Sequence, residues 1–110
     1  MKRINYVGRD LLTGDRIADA ILNYATALAR RARADRVNIP VLVGDRVSRV
    51  EVILGPASQL IVEAVADERE EPVDDELIAD LERRADQLRD PRPVAMSDGP
   101  GFDLPDDLIT

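Results

Sequence analysis

The hydrophobic pattern changes its period along the first 35 residues. A short apolar run at residues 4–7 predicts a first strand, and Gly8 allows a turn that would pair it with Leu11 and Leu12. Apolar residues then recur at helical spacing, and Thr13-Gly14-Asp15 supplies an N-cap candidate and a first-turn carboxylate. This spacing predicts a long amphipathic helix whose apolar face contains Ile17, Ile21, Tyr24, Leu28 and Ala32.

The next two segments, residues 36–43 and 47–54, are predicted to form a β-hairpin. Glycine in the first position of the two-residue loop Gly44-Asp45 favours a type II′ turn. With Val43 opposite Arg46, the apolar residues of both strands fall on one face, and a slip of one residue would destroy that match. The predicted pairs on this face are Val41 with Ser48, Ile39 with Val50, and Val37 with Val52. Pro40 cannot donate to a ladder, so we expect its N–H side at an edge.

The remaining chain predicts one more strand and one more helix. Residues 59–66 have Leu60, Val62 and Ala64 on one face, which favours a strand that pairs with the hairpin. A helix is predicted after Pro72, with a narrow apolar stripe that needs a partner surface. The stripe contains Val73, Leu77, Leu81, Ala85 and Leu88.

The predicted fold class is α+β. We expect an antiparallel sheet of three to five strands with one long helix packed on a face, a second C-terminal helix and a disordered acidic tail. The corresponding divisions are an α+β core domain at residues 1–66, an acidic linker and amphipathic helix at 67–90, and the tail at 91–110. A core of this size only narrowly offsets the loss of chain entropy, so dimerisation would stabilise it.

The amino-acid composition excludes most familiar kinds of catalytic site. The chain has no cysteine and no histidine, so it lacks a disulfide framework, a thiolate nucleophile, an imidazole base and the nitrogen and sulfur ligands that zinc prefers. The glycines follow no Walker or dinucleotide-binding pattern. No apolar stretch approaches the length of a membrane span. We therefore predict a cytoplasmic, non-catalytic protein with no metal, no cofactor and no membrane partner.

Charge divides the chain into two unequal parts. Residues 1–60 carry ten basic and six acidic side chains, a balance of +4, whereas residues 61–110 carry five against sixteen, a balance of −11. The sum is the net charge of −7. The two parts should attract one another, and a long-range field of this kind acts on association rather than on fold.

Two short motifs resemble a small domain of unassigned function in high-GC bacteria. They are the helix opening Asp15-Arg16-Ile17-Ala18 and the strand entry Pro56-Ala57-Ser58-Gln59-Leu60. The resemblance covers roughly residues 4–66. It implies the α+β fold and carries over no catalytic or binding residue.

Three groups of residues are candidates for binding. The apolar residues of the acidic tail could fold into a partner's groove, the second helix could offer its stripe, and a basic cluster at the end of the first helix could bind phosphate oxygens or an acidic peptide. These groups are Phe102, Leu104, Leu108 and Ile109 in the tail; Leu77, Leu81 and Leu88 in the stripe; and Arg30, Arg31, Arg33 and Arg36 in the basic cluster. Each group also has a plain structural interpretation. The tail residues could be a frayed terminus, the stripe could pack on the core, and the arginines could be cations favoured at a helix C-terminus.

The function predicted from these groups is that of a protein-interaction module. We expect it to self-associate as a homo-oligomer, or to bind a basic partner protein through its acidic part at residues 67–110. The alternative is an antitoxin-like or nucleic-acid-associated regulator of bacterial origin that uses the basic cluster.

Overall fold

The computed structural model describes residues 1–89. Its elements form an α+β fold in which every strand pair is antiparallel, which confirms the predicted class. The elements are β1 (Lys2–Tyr6), β2 (Arg9–Thr13), α1 (Asp15–Arg30), β3 (Asp35–Val43), β4 (Arg46–Leu54), β5 (Leu60–Ala64) and α2 (Asp75–Arg89). The acidic tail predicted at residues 91–110 lies outside the described residues.

The five strands have the spatial order β4-β3-β2-β1-β5. The β3–β4 register is the predicted one, from Val43 opposite Arg46 to Val37 opposite Val52. The interpretation of residues 59–66 as a partner of that hairpin was wrong, because β5 pairs with β1 at the other side of the sheet. The sequence pattern identified the strand but carried no information about its neighbour.

The sheet folds over on itself between β2 and β3. Only one residue pair, Leu12 with Leu42, joins these two strands. The loop of residues 55–59 connects the two outermost strands, which would lie about 19 Å apart in a flat sheet. That loop contains a turn, in which the Ser58 N–H donates to the Gly55 carbonyl at 3.0 Å. The β3–β4 hairpin must therefore bend back towards β1 and β5.

The core lies inside this fold and against α1. Its fully buried members alternate along the strands, and they include Ile4 and Ile39 from opposite halves of the sheet. Helix α1 contributes the predicted residues Ile17, Ile21, Tyr24 and Leu28. Ala32, the fifth residue predicted on this face, is instead exposed beyond the helix end, with φ at +52°.

The start of α1 differs from the prediction in its capping. Gly14 is the N-cap residue and makes no side-chain hydrogen bond. The Thr13 hydroxyl is fully buried and donates to the Pro40 carbonyl at 2.8 Å, which ties the end of β2 to β3. A Cβ on Gly14 would lie 2.3 Å from the Pro72 carbonyl oxygen, so only glycine lets the segment before α2 pass this close.

Helix α2 runs parallel to α1 and packs against it. At their first turns Arg16 donates to Asp75 at 3.3 Å, and at their other ends the Arg31 guanidinium donates to the Leu88 carbonyl at 2.8 Å. Ile78, Leu81 and Ala85 are buried in the same core cluster as the strands. The second helix is thus part of one core with residues 1–66.

Candidate interaction surface at the edge of strand β4

Strand β4 forms one side of the sheet, and its backbone groups alternate between β3 and open space. The pair that closes a two-residue hairpin loop exchanges both of its backbone hydrogen bonds, and hydrogen-bonded and non-bonded pairs then alternate. Because Val43 and Arg46 close this loop, the even-numbered residues of β4 bond to β3. The N–H and C=O groups of Val47, Arg49 and Glu51 therefore point away from the sheet.

The fold closes this edge at one end only. The Ile53 carbonyl accepts hydrogen bonds from the Tyr6 hydroxyl at 2.8 Å and the Ser58 hydroxyl at 2.9 Å. The Ile53 N–H donates to the Tyr6 hydroxyl at 3.2 Å. These contacts confirm that the odd-numbered residues face away from β3. Within residues 1–89, no comparable contact reaches the backbone of residues 47–51 on that side.

The side chains beside the open edge combine exposed apolar groups with opposite charges. Val47 is 58% exposed and Ile53 is 59% exposed, on the face of the sheet that points away from the core. Arg49 and Glu51 lie between them on the same face. Native sheets usually protect such an edge with charged side chains, proline, a bulge or a covering segment. β4 has charged side chains at Arg46, Arg49 and Glu51, but it contains no proline, and its pairing with β3 is continuous.

Arg49 is held in place over this face by two neighbours. Its guanidinium donates to the Asn38 side-chain oxygen at 3.2 Å and to Asp74 at 2.8 Å. The hydrogen bond from Arg49 keeps the pKa of Asp74 below its ordinary value, with a further contribution from the Leu77 N–H. Glu51 makes no ion pair with any residue from 1 to 89. The edge therefore presents one positioned cation and one available carboxylate.

A second polar cluster joins α1, β3 and α2 on the other side of the hairpin. The Tyr24 hydroxyl donates to Asp35 at 2.5 Å, and Arg84 donates to the same carboxylate oxygen at 2.8 Å. The Tyr24 hydroxyl lowers the pKa of Asp35, with a smaller contribution from Arg84, whereas burial raises the pKa of Tyr24. Each of these polar side chains has a hydrogen-bond partner within the cluster, so we interpret the cluster as a structural contact that holds α1, β3 and α2 together.

The predicted basic cluster is at the end of α1 and the start of β3, where all four side chains are exposed. Its members have different surroundings. Arg31 binds the Leu88 carbonyl and so belongs to the helix–helix contact. Arg30 ends α1, Arg33 lies in the following loop, and Arg36 lies opposite Ile53 on β3.

The predicted helix stripe packs against the chain's own core. Leu81 is 1% exposed, and Leu77 and Leu88 are half-buried against the same cluster. The stripe's first residue, Val73, precedes α2 and is exposed. Of the two interpretations that the sequence left open for this stripe, packing on the chain's own core is the one found. The tail residues Phe102, Leu104, Leu108 and Ile109 lie outside the described residues.

Several acidic residues before and within α2 pair with arginines of the same chain. Asp67 pairs with Arg69 at 2.6 Å, and Asp80 pairs with both Arg83 and Arg84. The Arg69 guanidinium also holds the Asp67 pKa far below its ordinary value. These pairs lie within the negative part of the chain, whereas the contacts of Asp74 with Arg49 and of Asp75 with Arg16 join the negative part to the positive part, as the charge balance predicted.

The open edge of β4 was not found from the sequence, which predicted an edge on the Pro40 side of β3 instead. β3 lies between β4 and β2, although β2 pairs with it only at Leu42 and leaves Pro40 outside that pairing. Charged residues on the outward face of a predicted strand were the available signal, but they are also typical of any solvated sheet face. Strand order is a tertiary property that β5 decided by pairing with β1.

The remaining surface offers shallow clefts and no clustered metal ligands. A cleft of about 570 Å³ lies beside Tyr24, Arg33 and Arg84, and another of about 520 Å³ lies between Val7 and Ile61. Among residues 1–89 there is no group of three or more potential metal ligands, and neither described helix could cross a bilayer. No family model, curated protein or solved structure matches this chain.

Proposed function

We propose that this protein is a non-catalytic interaction module that accepts a strand from another polypeptide at the open edge of β4. The observation that carries the proposal is the row of outward N–H and C=O groups at Val47, Arg49 and Glu51, uncovered within residues 1–89. An extended segment that adds to a sheet edge gains main-chain hydrogen bonds, while alternate side chains provide specificity. Val47 and Ile53 would supply the apolar contacts on one face.

This proposal differs from binding through the acidic part at residues 67–110. The carboxylates of Asp67, Asp74 and Asp80 already pair with arginines of the same chain. A basic partner that bound these three carboxylates would have to displace those contacts, whereas a strand added to β4 displaces no described contact of residues 47–51. Exposed backbone groups bonded to water can be exchanged for protein hydrogen bonds at little net cost.

The nucleic-acid alternative depends on the basic cluster. A phosphate backbone would find Arg30, Arg33 and Arg36 exposed, but Arg31 would have to leave the Leu88 carbonyl. No observation on the described residues favours this alternative over strand addition. Salt-sensitive binding of duplex DNA that is lost in an Arg33→Ala/Arg36→Ala variant would favour it instead.

The experiment that tests strand addition uses proline as a selective block. Proline at position 51 removes one outward N–H group and leaves the β3 ladder intact, because residue 51 bonds away from β3. Glu51→Ala is the matched control, since it removes the same side chain and keeps the N–H. Ten-residue peptides displayed on phage would be selected on the full chain and then measured against both variants.

Strand addition predicts that selected peptides bind the full chain and Glu51→Ala alike, and at least about tenfold more weakly to Glu51→Pro. Amide NMR shifts on binding should centre on Val47, Arg49 and Glu51. Peptides that bind both variants equally, or that shift amides elsewhere, would contradict the proposal.

A further inference from the structure

The outward side chains of β4 are complementary to a second copy of the same strand. If two copies of β4 lie antiparallel with Val50 opposite its own copy, Arg49 of each lies opposite Glu51 of the other. The same register brings the side chain of Val47 of each copy towards that of Ile53 in the other, while Tyr6 and Ser58 keep the backbone positions beside Ile53. Val47 and Ile53 are the two exposed apolar residues on this face of the strand. One register therefore pairs both opposite charges and both exposed apolar side chains.

The backbone pattern fits that register as well. Arg49 and Glu51 are both outward-facing residues, so each cross-strand pair between the copies can exchange two N–H···O=C bonds. The two equivalent pairs give four bonds around the symmetry axis. Ile53 is already bonded to Tyr6 and Ser58, so the ladder between copies is confined to the centre of the strand.

Neighbouring registers are less favourable. Centring the pair on Arg49 or on Glu51 places like charges opposite each other, and centring it on Ser48 places Glu51 opposite Asp45. Like charges directly opposite in adjacent strands are destabilising. Centring on Val47 pairs Arg49 with Asp45 but leaves Ile53 without an apolar neighbour in the copy. Charge and apolar contact together select the register centred on Val50.

We propose that the occupant of the β4 edge is a second copy of this chain, paired antiparallel about Val50 in a two-fold symmetric dimer with a continuous ten-stranded sheet. This inference deepens the proposed function and rests on it. Such a dimer is isologous, so each contact occurs twice and the open edge of both copies is covered at once.

The first test reverses charges. Glu51→Arg gives a chain with arginine at both positions, and Arg49→Glu gives one with glutamate at both. Sedimentation velocity should show that each variant alone dimerises at least about tenfold more weakly than the native chain, consistent with about 1.4 kcal/mol. A 1:1 mixture should recover a heterodimer, because every pair then has opposite charges. The double variant Arg49→Glu/Glu51→Arg should recover a homodimer.

Asp74→Ala is the control for Arg49→Glu, since it removes the same ion pair within the chain without altering the edge. It should leave dimerisation unchanged. Glu51→Arg disturbs no described ion pair, so its result does not depend on that control. A native chain that is monomeric at all concentrations, or variants that dimerise as the native chain does, would overturn the inference.

The second test fixes the register with single cysteines, which the native chain lacks. Val50→Cys should form a disulfide-linked dimer on mild oxidation, because facing Cα atoms in a non-hydrogen-bonded antiparallel pair are about 4.5 Å apart. Ser48→Cys should not, since its copies are separated by about 13 Å along the strands. Linkage at position 48, or at position 47 in Val47→Cys, would overturn the register.

The two proposals fail in different ways. If selected peptides bind at the β4 edge and the native chain stays monomeric, strand addition is supported and the second copy is refuted as the occupant. A dimer that forms equally in Glu51→Pro would refute the second copy alone, since its contacts would lie away from the β4 edge. Strand addition is refuted by peptides that bind Glu51→Pro and Glu51→Ala equally.

Discussion

The two hairpins of the sheet differ in how much of their backbone the fold covers. The β1–β2 hairpin is short and central, with β5 on one side and β3 on the other. The β3–β4 hairpin has strands of nine residues and joins the rest of the sheet through the single pair Leu12 and Leu42. One hairpin is surrounded by partners, whereas the other leaves one strand open.

The open stretch of β3 beyond β2 shows that this fold can protect an exposed strand. The Arg36 N–H donates to the Asp35 carboxylate at 2.8 Å, Pro40 has no N–H, and its carbonyl accepts from Thr13. β4 has no such protection between residues 47 and 51. The contrast indicates that the exposed edge of β4 is a specific feature of the fold, and it is the basis of both proposals.

The largest expected effect tests whether the β3–β4 hairpin contributes as much to the stability of the core as the β1–β2 hairpin does. Ile39→Ala in β3 and Ile4→Ala in β1 each remove a side chain that is 1% exposed. Each should lower the free energy of unfolding by about 2–5 kcal/mol in urea titrations. Ile53→Ala, at an exposed position, is the control and should change it by about 0.5 kcal/mol or less. A small effect of Ile39→Ala alone would show that the outer hairpin unfolds separately.

The next effect concerns the contact that ties the hairpins together. Thr13→Val keeps the shape of the buried side chain but leaves the Pro40 carbonyl without its donor. The free energy of unfolding should fall by about 1–3 kcal/mol. Thr26→Val is the control, because the Thr26 hydroxyl bonds the Leu22 carbonyl on the exposed face of α1. Equal losses from the two variants would contradict a special role for the buried bond.

The turn of the central hairpin contains a strained residue whose replacement should stabilise the protein. Val7 has φ at +52° and is 83% exposed, a backbone conformation that asparagine adopts more readily than a β-branched residue. Val7→Asn should raise the free energy of unfolding by about 1 kcal/mol. Val7→Ala removes the β-branch but lacks the short polar side chain that hydrogen-bonds locally in this conformation, so it should gain less. A loss of stability in Val7→Asn would show that the exposed valine makes a contact in solution.

The smallest expected effect is a pH dependence at the start of β3. The Tyr24 hydroxyl depresses the Asp35 pKa in the folded protein, so the carboxylate contributes stability that is complete above its ordinary pKa of about 3.9. This contribution should disappear as the pH falls through the depressed folded value. The difference in unfolding free energy between the native chain and Asp35→Asn should therefore shrink from pH 6 to pH 2.5. Tyr24→Phe should weaken that dependence, and a difference that is constant with pH would contradict the assignment.

The periodicity of the sequence predicted each described element and much of the pairing within hairpins. The β3–β4 register followed from the residues alone, because the two-residue loop Gly44-Asp45 sets the alignment and a slip of one residue would move Val52 to the face opposite Val37. The partner of β5 and the surface that covers Leu81 could not be predicted in this way. Both depend on contacts between residues far apart in the chain, and an apolar stripe has the same pattern whether it packs on its own core or on another protein.

Local chemistry by itself determined where helices and strands form, since their periods and the residues at turns act over only a few positions. The tertiary structure alone decided which strand is outermost and which polar groups meet, because the single β2–β3 pair lets the outer hairpin fold over the core. Tyr6 closes the end of β4 at Ile53 only because of that fold. The backbone at residues 47–51, which no contact from residues 1–89 covers on its outward side, is thus a consequence of strand order, which has no short-range signature in the sequence.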